Sequence, residues 1–340
     1  MRRRAWTAAR LVGAALILAV LLRQLGADPF LDGLRGLDPG TLLAATAIGA
    51  VTTVCSAWRW RVVARALGLG LALPAATAAY YRSQFLNCTL PGGVLGDVHR
   101  GVEHGVDAGD LGLGVRAVVW ERAAGQAVQV ALALLVLLAL PSPVQAAIPM
   151  VALASAAAVA TVLVTGRGVA RRGPARLRRA LRGTTAEIRQ AVLQSTTWPA
   201  VLLASLLVVG GLLGMFLLAA RAAGVHGPPQ QLLPLALIVL LAAAVPLNVA
   251  GWGPREGVAA WVFAAAGWGA GPGAAVATAF GVMTLVATLP GAVVLLVGWL
   301  RPRWRRARSE DERGRSPEPS GDRVAQGGGS HPAPDPCCSS

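Results

Sequence analysis

Long apolar runs separated by clusters of arginine make up most of this chain. The pattern predicts helices over residues 11–22, 42–57, 113–140, 144–165, 198–220, 232–245 and 274–300. About 20 apolar residues at 1.5 Å rise each cross a hydrocarbon core, so most of these runs read as membrane spans. Two stretches interrupt the pattern. Asn87-Cys-Thr-Leu-Pro-Gly-Gly-Val-Leu-Gly-Asp-Val-His-Arg100 and Pro246-Leu-Asn-Val-Ala-Gly-Trp-Gly-Pro-Arg-Glu256 each set an asparagine, helix-breaking proline and glycine, and an arginine beside a carboxylate into greasy sequence. Unwound backbone at membrane depth persists only where protein or a watery cavity satisfies its polar groups. Interrupted apolar segments, one in each half, point to a transporter's substrate site. Residues 74–96 hold Arg82, Gln84 and Asn87 and read as a re-entrant helix and loop, and residues 254–266 read as a second short helix. The expected fold is an all-α polytopic membrane protein with about seven spanning helices plus re-entrant helical elements.

The interrupted stretches also carry the densest chemistry. Pro254 suits the first position of a helix, and Glu256 favours the positive N-terminal end. Arg255 opposes that dipole, and a charge at membrane depth costs about 2.5–3.5 kcal/mol on insertion scales. Two resolutions stay open: Arg255 pairs with Glu256 or another intramembrane acid, or Arg255 and the amides of Gly251 to Gly253 receive a phosphate. In the first stretch, Pro91, Gly92, Gly93 and Gly96 form a compact turn where amides can converge. Asp97 and Arg100 share one helix face by their spacing of three, either as an interfacial ion pair or as part of a site with Arg82. Glu121 and Arg122 lie within a predicted span and are expected to partner Arg255 or Arg82. The candidate substrate-binding residues are Arg82, Asn87, Gly92, Gly93, Asp97, Arg100, Glu121, Arg122, Asn248, Gly251, Gly253, Arg255 and Glu256.

Composition agrees with the pattern: 55% of residues are hydrophobic and 14% charged, and the mean hydropathy is +0.58. The net charge of +15 would suggest nucleic acid in a soluble protein. Here the basic residues gather between apolar runs, as the positive-inside bias requires, and a nucleic-acid partner is not expected. Every basic side chain apart from histidine is arginine, which grips phosphate bidentately. Arg2 to Arg4 precede an uncleaved signal-anchor; the clusters at 59–65, 167–189 and 301–308 mark the cytoplasm, so both termini are expected there, in a bacterial inner membrane. On this topology the first interrupted stretch dips in from the cytoplasm and the second from outside, which suggests an inverted repeat. Residues 309–340 read as a disordered tail behind a membrane domain of residues 1–308. Trp6, Trp58, Trp60, Trp198, Trp299 and Trp304 read as an interfacial belt, Trp252 and Trp261 as core packing, and Gly210, Gly211 and Gly214 as sites of close helix approach. The cysteines and histidines offer no disulfide framework and no metal or cofactor site.

At Trp58-Arg59-Trp60, Leu67-Gly68, Asn87, Leu90-Pro91-Gly92-Gly93, Gly96-Asp97, Arg100, Glu121-Arg122, Asn248, Gly251, Gly253, Arg255 and Glu256 the chain resembles the transmembrane region of bacterial lysylphosphatidylglycerol synthases and the wider flippase-like family sharing it. The resemblance covers about residues 10–300. It implies a polytopic inner-membrane protein that moves, or helps move, an anionic or modified lipid between leaflets. No soluble aminoacyl-transfer domain follows the last span, so lysyl-lipid synthesis is not expected. The leading expectation is a non-enzymatic translocator of an anionic phospholipid or lipid-linked glycan, with phosphate-bearing membrane lipids as its partners. The alternatives are a non-catalytic partner of a lipid-modifying enzyme or glycosyltransferase, and a membrane-embedded transferase. The first outer loop has no tight acidic metal motif, which argues against the latter.

Overall fold

Aspartate caps and proline starts fix where the long helices begin. In the computed structural model, which describes residue 23 and residues 28–90, 93–140, 194–244 and 253–300, a short amphipathic helix α1 (Asp28–Arg35) leads into α2 (Pro39–Ala66). Asp38 caps α2: its carboxylate accepts from the Thr41 amide at 2.9 Å and the Thr41 hydroxyl at 2.8 Å, with Pro39 in the first turn. Then follow α3 (Leu73–Thr89), α4 (Leu95–Asp107) and α5 (Leu111–Ala139), the last capped by Asp110 through the Leu113 amide at 2.8 Å. The second half comprises α6 (Trp198–Ala222), α7 (Pro229–Ala243), α8 (Pro254–Ala265) and α9 (Ala270–Thr288). Expectations for residues 11–22, 144–165, 167–189 and the tail fall outside the described residues.

Among the described residues, four helical stretches are long and apolar enough to cross a membrane: Pro39–Ala66, Leu111–Ala139, Trp198–Ala222 and Ala270–Leu300. Helix α2 runs nine residues past the apolar run that predicts it, because Arg59 is buried and paired within it. By contrast, α7 has 15 residues, about 22 Å, which falls short of the ~30 Å core. It packs back against α8 and forms one arm of a re-entrant hairpin.

Among the described residues, each half therefore repeats one order: long span, short arm, short arm, long span. Helices α2, α3, α4 and α5 match α6, α7, α8 and α9. Positive φ marks the same joints in both, at the entry, tip and exit of each hairpin: Gly68, Gly93 and Gly109 in the first, Gly224, Gly253 and Gly267 in the second. A side chain at these joints would be strained. Two other glycines set packing distance. A Cβ on Gly96 would collide with the Ser83 carbonyl, holding α4 tight on α3, and one on Gly211 would strike the Thr52 methyl, where α6 lies along α2. Gly210 and Gly214 meet nothing within 4 Å and do not share that role. The second half is centred on Phe216, with the Phe263 ring centroid 6.4 Å and the Phe280 centroid 6.0 Å away. Trp261, expected in the core, is 55% exposed.

Candidate functional site

The first hairpin is closed by its own polar residues. Asn87, at the end of α3, accepts from the Gly96 amide at 2.8 Å and donates to Asp97 Oδ2 at 3.0 Å. Asp97 Oδ1 accepts from the Ser83 hydroxyl and from Arg100 Nη2, both at 2.9 Å, and Arg122 Nη2 lies 2.6 Å from Oδ2. The break between α3 and α4 is thus pinned by a carboxylate with four donors around it. Ionised carboxylates offer about four acceptor sites, so this one is filled.

Behind it lies a buried ion network between α2, α4 and α5. Glu121 Oε1 accepts from Arg59 Nε at 2.9 Å, Arg59 Nη2 at 2.6 Å and the Tyr80 hydroxyl at 3.1 Å, while Oε2 accepts from Arg100 Nη2 at 3.1 Å. Arg59 also donates to Ser205 Oγ on α6 at 3.0 Å. Arg100 has no hydrogen-bond partner at Nε or Nη1. It lies instead against two rings, 4.5 Å from the Trp60 centroid and 4.2 Å from that of Tyr80, where cation–π attraction replaces the missing bonds. Trp60 is buried here, not in an interfacial belt.

In the second half, Gly253 donates its amide to Glu256 Oε2 at 2.7 Å, and Glu256 Oε1 accepts from Arg255 Nε at 2.9 Å and Nη2 at 2.5 Å. The carboxylate satisfies the helix start and the neighbouring guanidinium together, which offsets the unfavourable dipole at Arg255. Arg255 also lies over the Phe280 ring at 5.6 Å. Glycine makes room for guanidinium in both halves: a Cβ on Gly125 would sit 2.7 Å from Arg59 Nη1, and one on Gly281 would collide with Arg255 Nη2.

Both hairpins open onto one chamber of about 630 Å³. Four helices give its polar residues, one face each, while Val208, Val209, Leu212 and Met215 of α6 and Leu240 of α7 add apolar wall. From α2 come Thr52, Thr53, Ser56 and Arg59; from α3, Tyr80, Gln84 and Asn87; from α5, Arg122, Gln126 and Gln129; from α9, Phe280, Thr284 and Thr288. Spacings of three, four and seven put each set on a single helix face. Asp97 and Arg255 line it from the two hairpins, and Val94, Val98, Val115 and Val119 form an apolar flank on α4 and α5. Arg122 keeps 42% of its side-chain surface accessible while paired to Asp97, because it faces this space. Four guanidinium groups, buried Arg59, Arg100 and Arg255 and the partly accessible Arg122, meet three buried carboxylates, Asp97, Glu121 and Glu256, so this set carries net charge +1. The arrangement can bind an anion in a low-dielectric setting.

Of the residues predicted from sequence, Asn87, Gly93, Asp97, Arg122 and Arg255 line the chamber. Arg100, Glu121, Gly253 and Glu256 stand behind that lining and support it. Glu121 and Arg122 pair with Arg59, Arg100 and Asp97 rather than with Arg255 or Arg82. Arg82 lies outside the chamber lining and pairs with Glu103 across the hairpin, with His99 3.9 Å from the same carboxylate. Gly92, Asn248 and Gly251 fall outside the described residues. Arg59 and Gln84, named above only within motifs, and Gln126 and Gln129 are absent from the sequence-derived candidates; an i, i+4, i+7 count of polar residues starting from Arg122 on α5 finds Gln126 and Gln129. Among the described residues, no group of three or more histidine, cysteine, aspartate or glutamate side chains could hold a metal ion.

The family model described as "Lysylphosphatidylglycerol synthase TM region" matches residues 7–291. No curated protein and no solved structure matches the chain significantly.

Proposed function

From the premise that the chain belongs to the family defined by the lysylphosphatidylglycerol synthase transmembrane region, we propose that it translocates an anionic lipid between leaflets. The observation that carries this reading is the convergence of two re-entrant hairpins on one chamber, with Arg122 beside the first tip and Arg255 at the second. A phosphate entering from either leaflet exchanges water for guanidinium, amide and hydroxyl donors. Acyl chains stay outside along the apolar flank of Val94, Val98, Val115 and Val119. The role is non-enzymatic on this reading, the protein sits in the inner membrane with both termini in the cytoplasm, and its partners are phosphate-bearing lipids.

Reconstitution into liposomes tests the proposal. Protein-dependent leaflet exchange of an anionic phospholipid is expected, and Arg255→Gln or Arg122→Gln should lower its rate. Absence of exchange for every anionic lipid tried overturns it. Exchange that both variants leave unchanged would remove the chamber from the path.

A further inference from the structure

We infer that the chamber selects a lipid whose headgroup combines a phosphate with hydroxyl groups and carries no amine, and that it disfavours the aminoacylated lipid in the family's name. This rests on the translocation reading above and narrows its cargo. The ground is charge, together with a count of carboxylate acceptors, the groups that neutralise an ammonium. Among the described residues that line the chamber, Asp97 is the one carboxylate. Its two oxygens already face Ser83, Arg100, Asn87 and Arg122. Glu121 behind it holds four donor atoms from Arg59, Tyr80 and Arg100, and Glu256 takes Arg255 and the Gly253 amide. A lysyl ammonium brings three donors and no acceptor. It would enter a space whose carboxylates are filled and whose charged lining, among the described residues, is Arg59, Arg122 and Arg255 against Asp97.

Donors, in contrast, remain to be used. Much of the Arg122 side chain lies open to the chamber even with Nη2 paired to Asp97. Gln126 is exposed to the same space one turn further along α5, and Gln129 follows it. Thr52, Thr53 and Gln84 stand on the facing helices. Amides and hydroxyls both give and accept hydrogen bonds, which suits polyol or sugar hydroxyls next to a phosphate held by Arg122.

The test uses full-length protein in liposomes containing phosphatidylglycerol or lysylphosphatidylglycerol. Periodate attack on the exposed diol reports the first lipid, and amine labelling by trinitrobenzenesulfonate reports the second. Wild type should exchange phosphatidylglycerol at least about tenfold faster, the rate ratio of a 1.4 kcal/mol difference. The double variant Gln126→Glu, Gln129→Glu supplies new acceptors and should raise lysylphosphatidylglycerol exchange while slowing phosphatidylglycerol. Equal or faster exchange of the lysyl lipid by wild type overturns this inference and leaves translocation standing. No exchange of either lipid overturns this inference as well, and if every other anionic lipid tried also fails to exchange, the translocation reading falls with it. Release of trapped soluble glycerol phosphate by wild type would assign the chamber to a free anion and overturn the lipid assignment.

Discussion

Replacing Glu121 by glutamine keeps the side chain's shape and removes one charge from the buried network. Glu121 is 0% exposed and receives four donor atoms, two from Arg59 and one each from Tyr80 and Arg100. The set of four guanidiniums and three carboxylates then becomes four against two, so net charge rises from +1 to +2. The new amide also turns a donor toward a guanidinium. Breaking a buried pair from one side costs about 3–5 kcal/mol, a large share of a typical total of about 5–15 kcal/mol. Reversible unfolding in detergent micelles measures the loss. Arg59→Gln alone should cost less, because Glu121 keeps Arg100 as a partner. The double variant should then fall short of the summed losses by at least ~1 kcal/mol. A loss below ~0.5 kcal/mol for Glu121→Gln, or additivity of the two changes, would refute the network as a source of stability.

Three further outcomes are expected. Gly281→Ala pushes Arg255 off its seat and should lower lipid exchange more than Gly291→Ala lowers it, with both compared at matched expression and monodispersity, since a Cβ at Gly291 meets Tyr81 and Phe85 rather than the chamber arginine; equal losses would deny Arg255 a special place. Gly211→Ala should destabilise by about 1–3 kcal/mol through overpacking, and Thr52→Ser, which removes the methyl it strikes, should restore most of the thermal stability; a failure of rescue would contradict the α2–α6 contact. Asp38 outside the membrane is held below the usual carboxylate range by hydrogen bonds from Thr41. A depressed folded-state pKa stabilises above the unfolded value and is lost as pH falls, so wild type should exceed Asp38→Ala in stability at neutral pH and the gap should close below about pH 4; a gap independent of pH would exclude the cap.

The hairpins were legible from residue type alone, since proline, glycine and buried charge within an apolar run can mean little else in lipid. The Pro254 helix start and the pairing of Asp97 with Arg100 follow from spacing of a few residues. The partners of Glu121 did not follow, because they come from α2 and α4 and depend on how those helices cross α5. Arg59 was misplaced for a related reason. A hydropathy run stops at its first arginine, so the residue reads as the start of a cytoplasmic loop, and Trp60 beside it as a belt residue. Only the carboxylate 62 positions later turns that arginine inward. Arg82 misled in the opposite sense: it is placed like a ligand by sequence, yet its nearest carboxylate, Glu103, is on the outer side of its own hairpin.

That separation of 62 positions sets a delay during synthesis. At roughly 5–20 residues per second, Glu121 leaves the ribosome about 3–12 s after Arg59. For that interval Arg59 lacks the carboxylate that neutralises it in the folded protein, which favours retention of α2 beside the insertion machinery over release into lipid. The first half of this membrane domain is therefore expected to partition as a bundle, its helices leaving together once opposite charges have met.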